Sequence, residues 1–208
     1  MDDFSAIKKY VAKYIELTEE EQVQFISFLR VKKVRKKQCI VQPDFVCNHR
    51  TYINQGALRA YLVDDNGQEH TIAFGIEDWW IADFNSYFFR QPATLFIEAL
   101  EESTLIQIEY NAEQQLLKDI PKFEKFYRII SQNGYAFLQR RILSNISMGA
   151  EQRYEDFMQR YPLIAARVPQ YALASYLGFS TELLSKIRNN RTKKRWKSSS
   201  LFLNEVHF

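Results

Sequence analysis

Gln170-Tyr171-Ala172-Leu173-Ala174-Ser175-Tyr176-Leu177-Gly178-Phe179-Ser180-Thr181-Glu182-Leu183-Leu184-Ser185-Lys186-Ile187-Arg188-Asn189 has the spacing of two short helices crossing at a tight turn. Ala174 is small enough to let the second helix come close, and Gly178 supplies the turn, which needs a positive φ that a Cβ would resist. Ser180 stands where it can cap the next helix, with Glu182 in the first turn near the positive end of the dipole. Leu173, Leu177, Leu184 and Ile187 are spaced to meet in one small core between the helices.

That arrangement leaves Thr181, Glu182, Ser185, Lys186, Arg188 and Asn189 facing outward, a set suited to reading DNA. Lys186 can donate to guanine in the major groove, Glu182 can accept from cytosine N4, and Thr181 or Ser185 can reach a base or a phosphate. An ordinary helical hairpin would share the small and flexible positions. It would not explain Arg188, Arg191, Lys193, Lys194, Arg195 and Lys197, a basic run with no acidic residue among them. Motif and charge together point to a helix-turn-helix.

Working outward, the 208-residue chain is 46% hydrophobic and 15% aromatic, enough for real cores. Its net charge of +3 is unevenly spread: residues 149–208 hold ten Lys or Arg against five Asp or Glu, and the remainder holds 18 against 20. A basic C-terminal part beside a slightly acidic N-terminal part suits one domain for DNA and another for a different task. No apolar run approaches a membrane span, and the first residues lack the layout of a signal peptide, so a cytoplasmic location without membrane contact is expected. Cys39 and Cys47 are too few and isolated for a zinc ribbon or an iron-sulfur cluster, and no metal site is expected.

Phe4, Ile7, Val11, Tyr14 and Ile15 form one helical stripe, and Thr18 with Glu21 reads as a capping box for a second helix through Phe25, Phe28 and Leu29. From about Val31 to Ile108 the pattern is of short strands. The clearest are residues 52–63 and 70–74, joined at Asn66-Gly67, where a type I′ turn is expected, followed by 96–100 and 104–108. Strands at this spacing indicate a small closed sheet such as a jelly roll.

Pro121 opens a long helix whose apolar residues cover two stripes: Ile129, Ala136 and Leu143 repeat at heptad spacing, as do Phe123, Ile130 and Phe137. One stripe would meet the chain's own barrel and the other a second copy of the helix. Phe126, Ile129, Ile130, Phe137 and Leu143 are the candidate dimer contacts. Met148-Gly149-Ala150 interrupts the pattern, and a short helix with Tyr154, Phe157, Met158 and Tyr161 follows. The expected divisions are therefore residues 1–120 for the sensor domain, 121–147 for the dimerisation helix, 148–197 for DNA binding and 198–208 for a tail.

Two lead-in helices, a hairpin-rich barrel, a long pairing helix and a C-terminal helix-turn-helix resemble, in this order, the Crp-Fnr superfamily of transcription regulators. The likeness rests on Gly56-Ala57-Leu58-Arg59-Ala60-Tyr61, on the Asn66-Gly67 hairpin, and more strongly on Leu173 through Arg188. It implies an α+β fold with an N-terminal antiparallel jelly-roll β-barrel, a dimerisation helix and a winged helix-turn-helix. It also implies a signal sensed in the barrel and relayed through the paired helices to DNA, with RNA polymerase and a small-molecule effector as further candidate partners.

Members that bind cyclic nucleotides carry a Gly-Glu pair, then an Arg-Ser/Thr-Ala triplet whose Arg pairs with the phosphate. Here Ala82-Asp83 and Ala93-Thr94-Leu95 stand in those places, and Arg90 is three positions early. A buried phosphate without its cationic fork would be poorly compensated, which speaks against a cyclic nucleotide; no cofactor is expected. Trp79, Trp80, Phe84, Tyr87, Phe88, Phe89 and Phe96 supply aromatic surface instead, either as core filling or as the wall of an apolar pocket. Trp79, Trp80, Asp83, Arg90 and Thr94 are the candidate effector residues.

A cupin-type metalloenzyme would need a His-x-His pair and a following Glu, absent around His49 and His70, and no nucleophile with its base is visible. A module that only senses a nucleotide or another small molecule would leave Gly178 and the basic run without a purpose. The sequence therefore reads as a homodimeric, non-enzymatic regulator of transcription on an approximately palindromic operator. Thr181, Glu182, Ser185 and Lys186 are expected to read bases, and Ser180, Arg188, Arg191, Lys193 and Lys194 to hold phosphates, with Asn189 beside them.

Overall fold

Thr18 and Glu21 exchange hydrogen bonds as their spacing predicts: Thr18 Oγ1 accepts from the Glu21 amide at 3.2 Å, and Glu21 Oε2 accepts from the Thr18 amide at 2.8 Å. In the computed structural model, which describes residues 3–190, this box starts α2 (Glu19–Ser27) after α1 (Ser5–Ala12). Eight strands follow: β1 (Leu29–Val34), β2 (Cys39–Val41), β3 (His49–Gln55), β4 (Leu58–Val63), β5 (Glu69–Gly75), β6 (Trp80–Ile81), β7 (Phe96–Ala99) and β8 (Ser103–Glu109). A short helix, α3 (Phe84–Phe89), sits between β6 and β7. The remainder is helical: α4 (Tyr110–Asp119), α5 (Lys122–Ser147), α6 (Ala150–Arg160), α7 (Pro162–Arg167), α8 (Gln170–Leu177) and α9 over residues 181–190.

The strands form two four-stranded antiparallel sheets, ordered β1-β8-β3-β6 and β2-β7-β4-β5. They face each other as a sandwich and do not join into a closed barrel, which corrects the expected closure. Side chains alternate along each strand, so one strand serves two cores. On β3, Ile53 faces inward with Val34, Ile81 and Leu105 against Leu58, Ala60, Ile97 and Ala99 of the other sheet. Its neighbour Tyr52 points the other way, joining Ile106 and Ile108 against Ile7, Val11, Phe25, Leu116, Phe123 and Phe126 of the helices.

The expected strand over 52–63 is two strands. The chain turns at Gly56, with φ +115°, where an added Cβ would lie 2.0 Å from Ser103 Oγ. The hairpin at Asn66-Gly67 is present, but only Gly67 has positive φ, so the turn is not type I′. Asp64 decides this: its Oδ1 accepts from the amides of Asn66 and Gln68, while the Gly67 amide donates to the Asp64 carbonyl. A β-turn followed by one left-handed glycine is the outcome.

α5 is a single 26-residue helix, and its two ends have different neighbours. Phe126 is fully buried in the chain's own core, in edge contact with Tyr10, Tyr14 and Trp80. It cannot reach a second copy, which corrects its assignment to the dimer face. Ile130 packs on the same core, and Phe137 is half-buried against Trp79 and Tyr161. Ile129 is partly covered and Leu143 is exposed. The stripe that α5 leaves open runs through Tyr135, Leu138, Ile142 and Ile146.

The chain passes from α5 to α6 through Met148 and Gly149, both extended, as the interruption predicts. The core does not divide there. Phe74, Ala57 and Leu100 of the sheets pack in one cluster with Tyr154, Phe157, Ile164, Leu173, Tyr176, Leu177, Leu184 and Ile187. No strand follows β8 among the described residues, so a wing for the helix-turn-helix is not found within them; the tail over 198–208 lies outside them. No described helix is long and apolar enough to cross a membrane.

Candidate nucleic-acid interface

α8 ends at a left-handed residue flanked by two closing hydrogen bonds. Gly178, at φ +74°, donates to the Ser175 carbonyl at 3.1 Å, and Phe179 donates to the Ala174 carbonyl at 2.9 Å. No atom lies within 4 Å of an added Cβ at Gly178, so conformation and not space demands glycine here. Ser180 then caps α9, its Oγ accepting from the Leu183 amide at 3.2 Å.

Leu184 and Ile187 turn inward and are buried, together with Leu173 and Leu177, as their spacing predicts. Thr181, Glu182, Ser185, Lys186, Arg188 and Asn189 are all exposed on the other side, along with Ser180. Thr181 Oγ1 donates to Glu182 Oε1 at 3.1 Å. The Glu182 amide and the hydroxyls of Ser180 and Thr181 hold the Glu182 carboxyl below its ordinary value. A charged acceptor therefore stands at the start of α9, able to take a cytosine amino group. Arg191, Lys193 and Lys194 lie outside the described residues.

The five candidate effector residues do not converge, which corrects their grouping. Trp79 packs on Phe137 and Tyr161. Trp80 packs on Tyr52, Phe126 and Tyr127, on the helical side of its sheet. Arg90 donates to the carbonyls of Cys47 and Tyr87 and to Asn48 Oδ1. Only Asp83 and Thr94 meet. Asp83, 2% exposed, caps α3 through the Ser86 amide at 3.0 Å, and its other oxygen accepts from the amides of Thr94 at 2.9 Å and Leu95 at 3.1 Å. Three backbone donors at the start of α3 and at the approach to β7 thus face a carboxylate of the chain itself.

Neither of two cavities contains any of the five. One, of about 310 Å³, lies beside Cys39, Cys47, His49, Thr51 and Gln107. The other, of about 200 Å³, opens between α5 and α6 next to Arg141, Arg153 and Tyr176. Burial raises the Cys39 and Cys47 thiols above their ordinary value, so neither is a ready thiolate. No group of His, Cys, Asp or Glu among the described residues is arranged to hold a metal.

Polar contacts also join the β-sandwich and its loops to the C-terminal helices. Arg167 pairs with Glu77 at 2.6 Å and also with Glu101. Burial pushes the Glu77 carboxyl up, but Arg167 and the Gly56 amide outweigh it and hold it below the usual range. Arg59, on β4, reaches toward α8. Nothing in local periodicity marks these residues, because each pairs across 66 or more positions or from strand to helix.

Residues 31–119 match the family model of the cyclic nucleotide-binding domain. The chain is 26% identical over 183 residues to the regulatory protein HlyX of Actinobacillus pleuropneumoniae, covering 82% of this chain and 75% of that one. Its fold is similar to a CooA mutant from Carboxydothermus hydrogenoformans, with TM-score 0.67 and 18% identity over 93% of this chain and 87% of that one. It is also similar to FixK2 from Bradyrhizobium japonicum, with TM-score 0.66 and 15% identity over 80% and 85%.

Proposed function

We propose that this chain, a member of the Crp-Fnr family of transcription regulators, binds an approximately palindromic DNA operator as a homodimer, one α9 helix to each half-site, and is not an enzyme. The observation that carries this is the outward face of α9: Ser180, Thr181, Glu182, Ser185 and Lys186 are all accessible while Leu184 and Ile187 anchor the helix behind them. Thr181, Glu182, Ser185 and Lys186 read bases, and Ser180 and Arg188 hold phosphates, with Arg191, Lys193 and Lys194 as further phosphate contacts from sequence.

The open stripe Tyr135, Leu138, Ile142 and Ile146 on α5 is the dimer face. Asp83 already occupies the amides of Ser86, Thr94 and Leu95, and no cationic side chain joins them in the hydrogen bonds it accepts. The sensor domain therefore answers to something other than a cyclic nucleotide, or holds its working shape without one.

Selection of bound duplexes from a random pool, followed by titration in rising salt, tests the reading. Lys186→Ala is expected to cost about 1–3 kcal/mol on the selected sequence and to relax preference at one base pair. An equal loss on selected and random DNA would defeat the base-reading assignment, and no retention at low salt would defeat DNA binding altogether.

A further inference from the structure

β5 has one residue more than the strand opposite. Ala60 faces Ala73, but Tyr61 faces Thr71, so Ile72 bulges out of the ladder. β5 is also the outermost strand of its sheet, with no strand on its other side. The backbone groups left over are taken by two side chains from the helices. The Thr71 amide donates to Ser175 Oγ at 2.8 Å, and the same hydroxyl donates to the Glu69 carbonyl at 2.8 Å. Arg141 of α5 donates to the carbonyls of Thr71 at 2.8 Å and Ile72, and to that of Tyr176 on α8 at 3.3 Å. Its guanidinium also lies 4.4 Å from the centroid of the Tyr176 ring.

One side chain thus joins the long helix, the sensor sheet and the first helix of the helix-turn-helix. None of its hydrogen-bond partners is a carboxylate. A half-buried cation held by carbonyl dipoles and a ring face, with no carboxylate, is an expensive way to gain stability, and a better way to gain a fixed geometry, because a planar fork satisfies several carbonyls in one orientation only. The covalent link between α5 and α6 is the extended pair Met148 and Gly149, which does not by itself set an angle.

We infer that Arg141 is a positioning residue that, with Ser175, sets the angle of the helix-turn-helix against α5 and so the distance between the two reading helices of a dimer. This rests on the DNA-binding reading above. α8 carries α9 with it through their shared core, so an angle set at Tyr176 is passed to Lys186 and its neighbours.

The test uses the full-length protein and duplexes with two selected half-sites whose separation varies one base pair at a time. Wild-type protein is expected to prefer one separation sharply. Arg141→Gln is expected to lose at least tenfold of that preference while keeping its dimer state and its affinity for a single half-site, and Arg141→Lys, with one donor head, to fall between. Hydrogen exchange of the Thr71 amide is expected to speed up in Arg141→Gln by a similar factor. Should Arg141→Gln not fold, Arg141→Lys and Ser175→Ala carry the test, each with a broadened profile. A folded variant with the wild-type separation profile and unchanged Thr71 exchange overturns the inference alone. Wild-type protein that binds no duplex at any separation overturns the functional reading beneath it.

Discussion

The ring of Tyr171, on the first helix of the helix-turn-helix, covers the guanidinium of Arg59, with 5.0 Å from Cζ to the ring centroid. Arg59 is 2% exposed, pairs with Glu98 at 3.0 Å and Glu69 at 2.7 Å, and is stacked at 4.0 Å over Tyr61 as well. A charge buried in the sheet that contains β4 is therefore covered by a helix of the C-terminal part. Removing it leaves Glu98 in the interior without its partner. Arg59→Ala is expected to destabilise the fold by about 3–5 kcal/mol, and Tyr171→Ala by a smaller amount, about 1–2 kcal/mol. Urea unfolding measures both; a loss below 1 kcal/mol for Arg59→Ala would show that the pair is not held as described.

Two glycines with positive φ should respond differently to alanine. At Gly178 only the left-handed backbone opposes a Cβ, so Gly178→Ala is expected to cost about 1–2 kcal/mol. At Gly56 the φ of +115° lies beyond the left-handed α region, and an added Cβ would also collide, 2.0 Å from Ser103 Oγ and 2.8 Å from its Cα. Gly56→Ala should therefore be clearly the more damaging of the two. Equal melting temperatures for the two variants would contradict this.

On α5, position decides what an apolar residue does. Leu138 and Ile142 are exposed at 46% and 58%, whereas Phe126 is wholly buried. The double substitution Leu138→Glu with Ile142→Glu is expected to leave the monomer folded and raise the dimer dissociation constant by at least tenfold. Phe126→Ala is expected to cost about 3–5 kcal/mol of fold stability. Analytical ultracentrifugation with circular dichroism separates the two effects; a dimer that survives both glutamates places the interface elsewhere.

Asp83 occupies three backbone amides in the sandwich domain. A ligand that binds only the folded state stabilises it by RT ln(1 + L/Kd), L being the free ligand concentration, so the melting temperature rises with ligand concentration. Millimolar cyclic AMP or cyclic GMP is accordingly expected to leave the melting temperature unchanged, and a rise that grows with concentration would show that the nucleotide binds despite Asp83.

Much of the molecule is legible from residues close together in the chain. The capping box at Thr18 and Glu21, the left-handed stop at Gly178, the cap at Ser180, the inward Leu184 and Ile187, and the break at Met148 and Gly149 all have the structure their spacing predicts. Each depends on hydrogen bonds or side-chain faces within a few residues, so the pattern contains its own cause.

The remainder was decided by partners far away in sequence. The sequence marks Phe126 and Leu143 alike as apolar residues of one helix, but only the arrival of α1 and β6 buries the first and leaves the second exposed. Asn-Gly favours a type I′ turn until Asp64 captures the loop amides. Trp79, Trp80 and Asp83 are close neighbours in the chain but point into different surroundings, because successive residues of an extended segment face opposite sides and Asp83 caps α3. Periodicity determined which residues leave water and where helices begin and stop. Which surfaces meet, and hence which face of α5 is free and how Arg141 ties three elements together, followed only from packing, where each contact depends on the placement of every other.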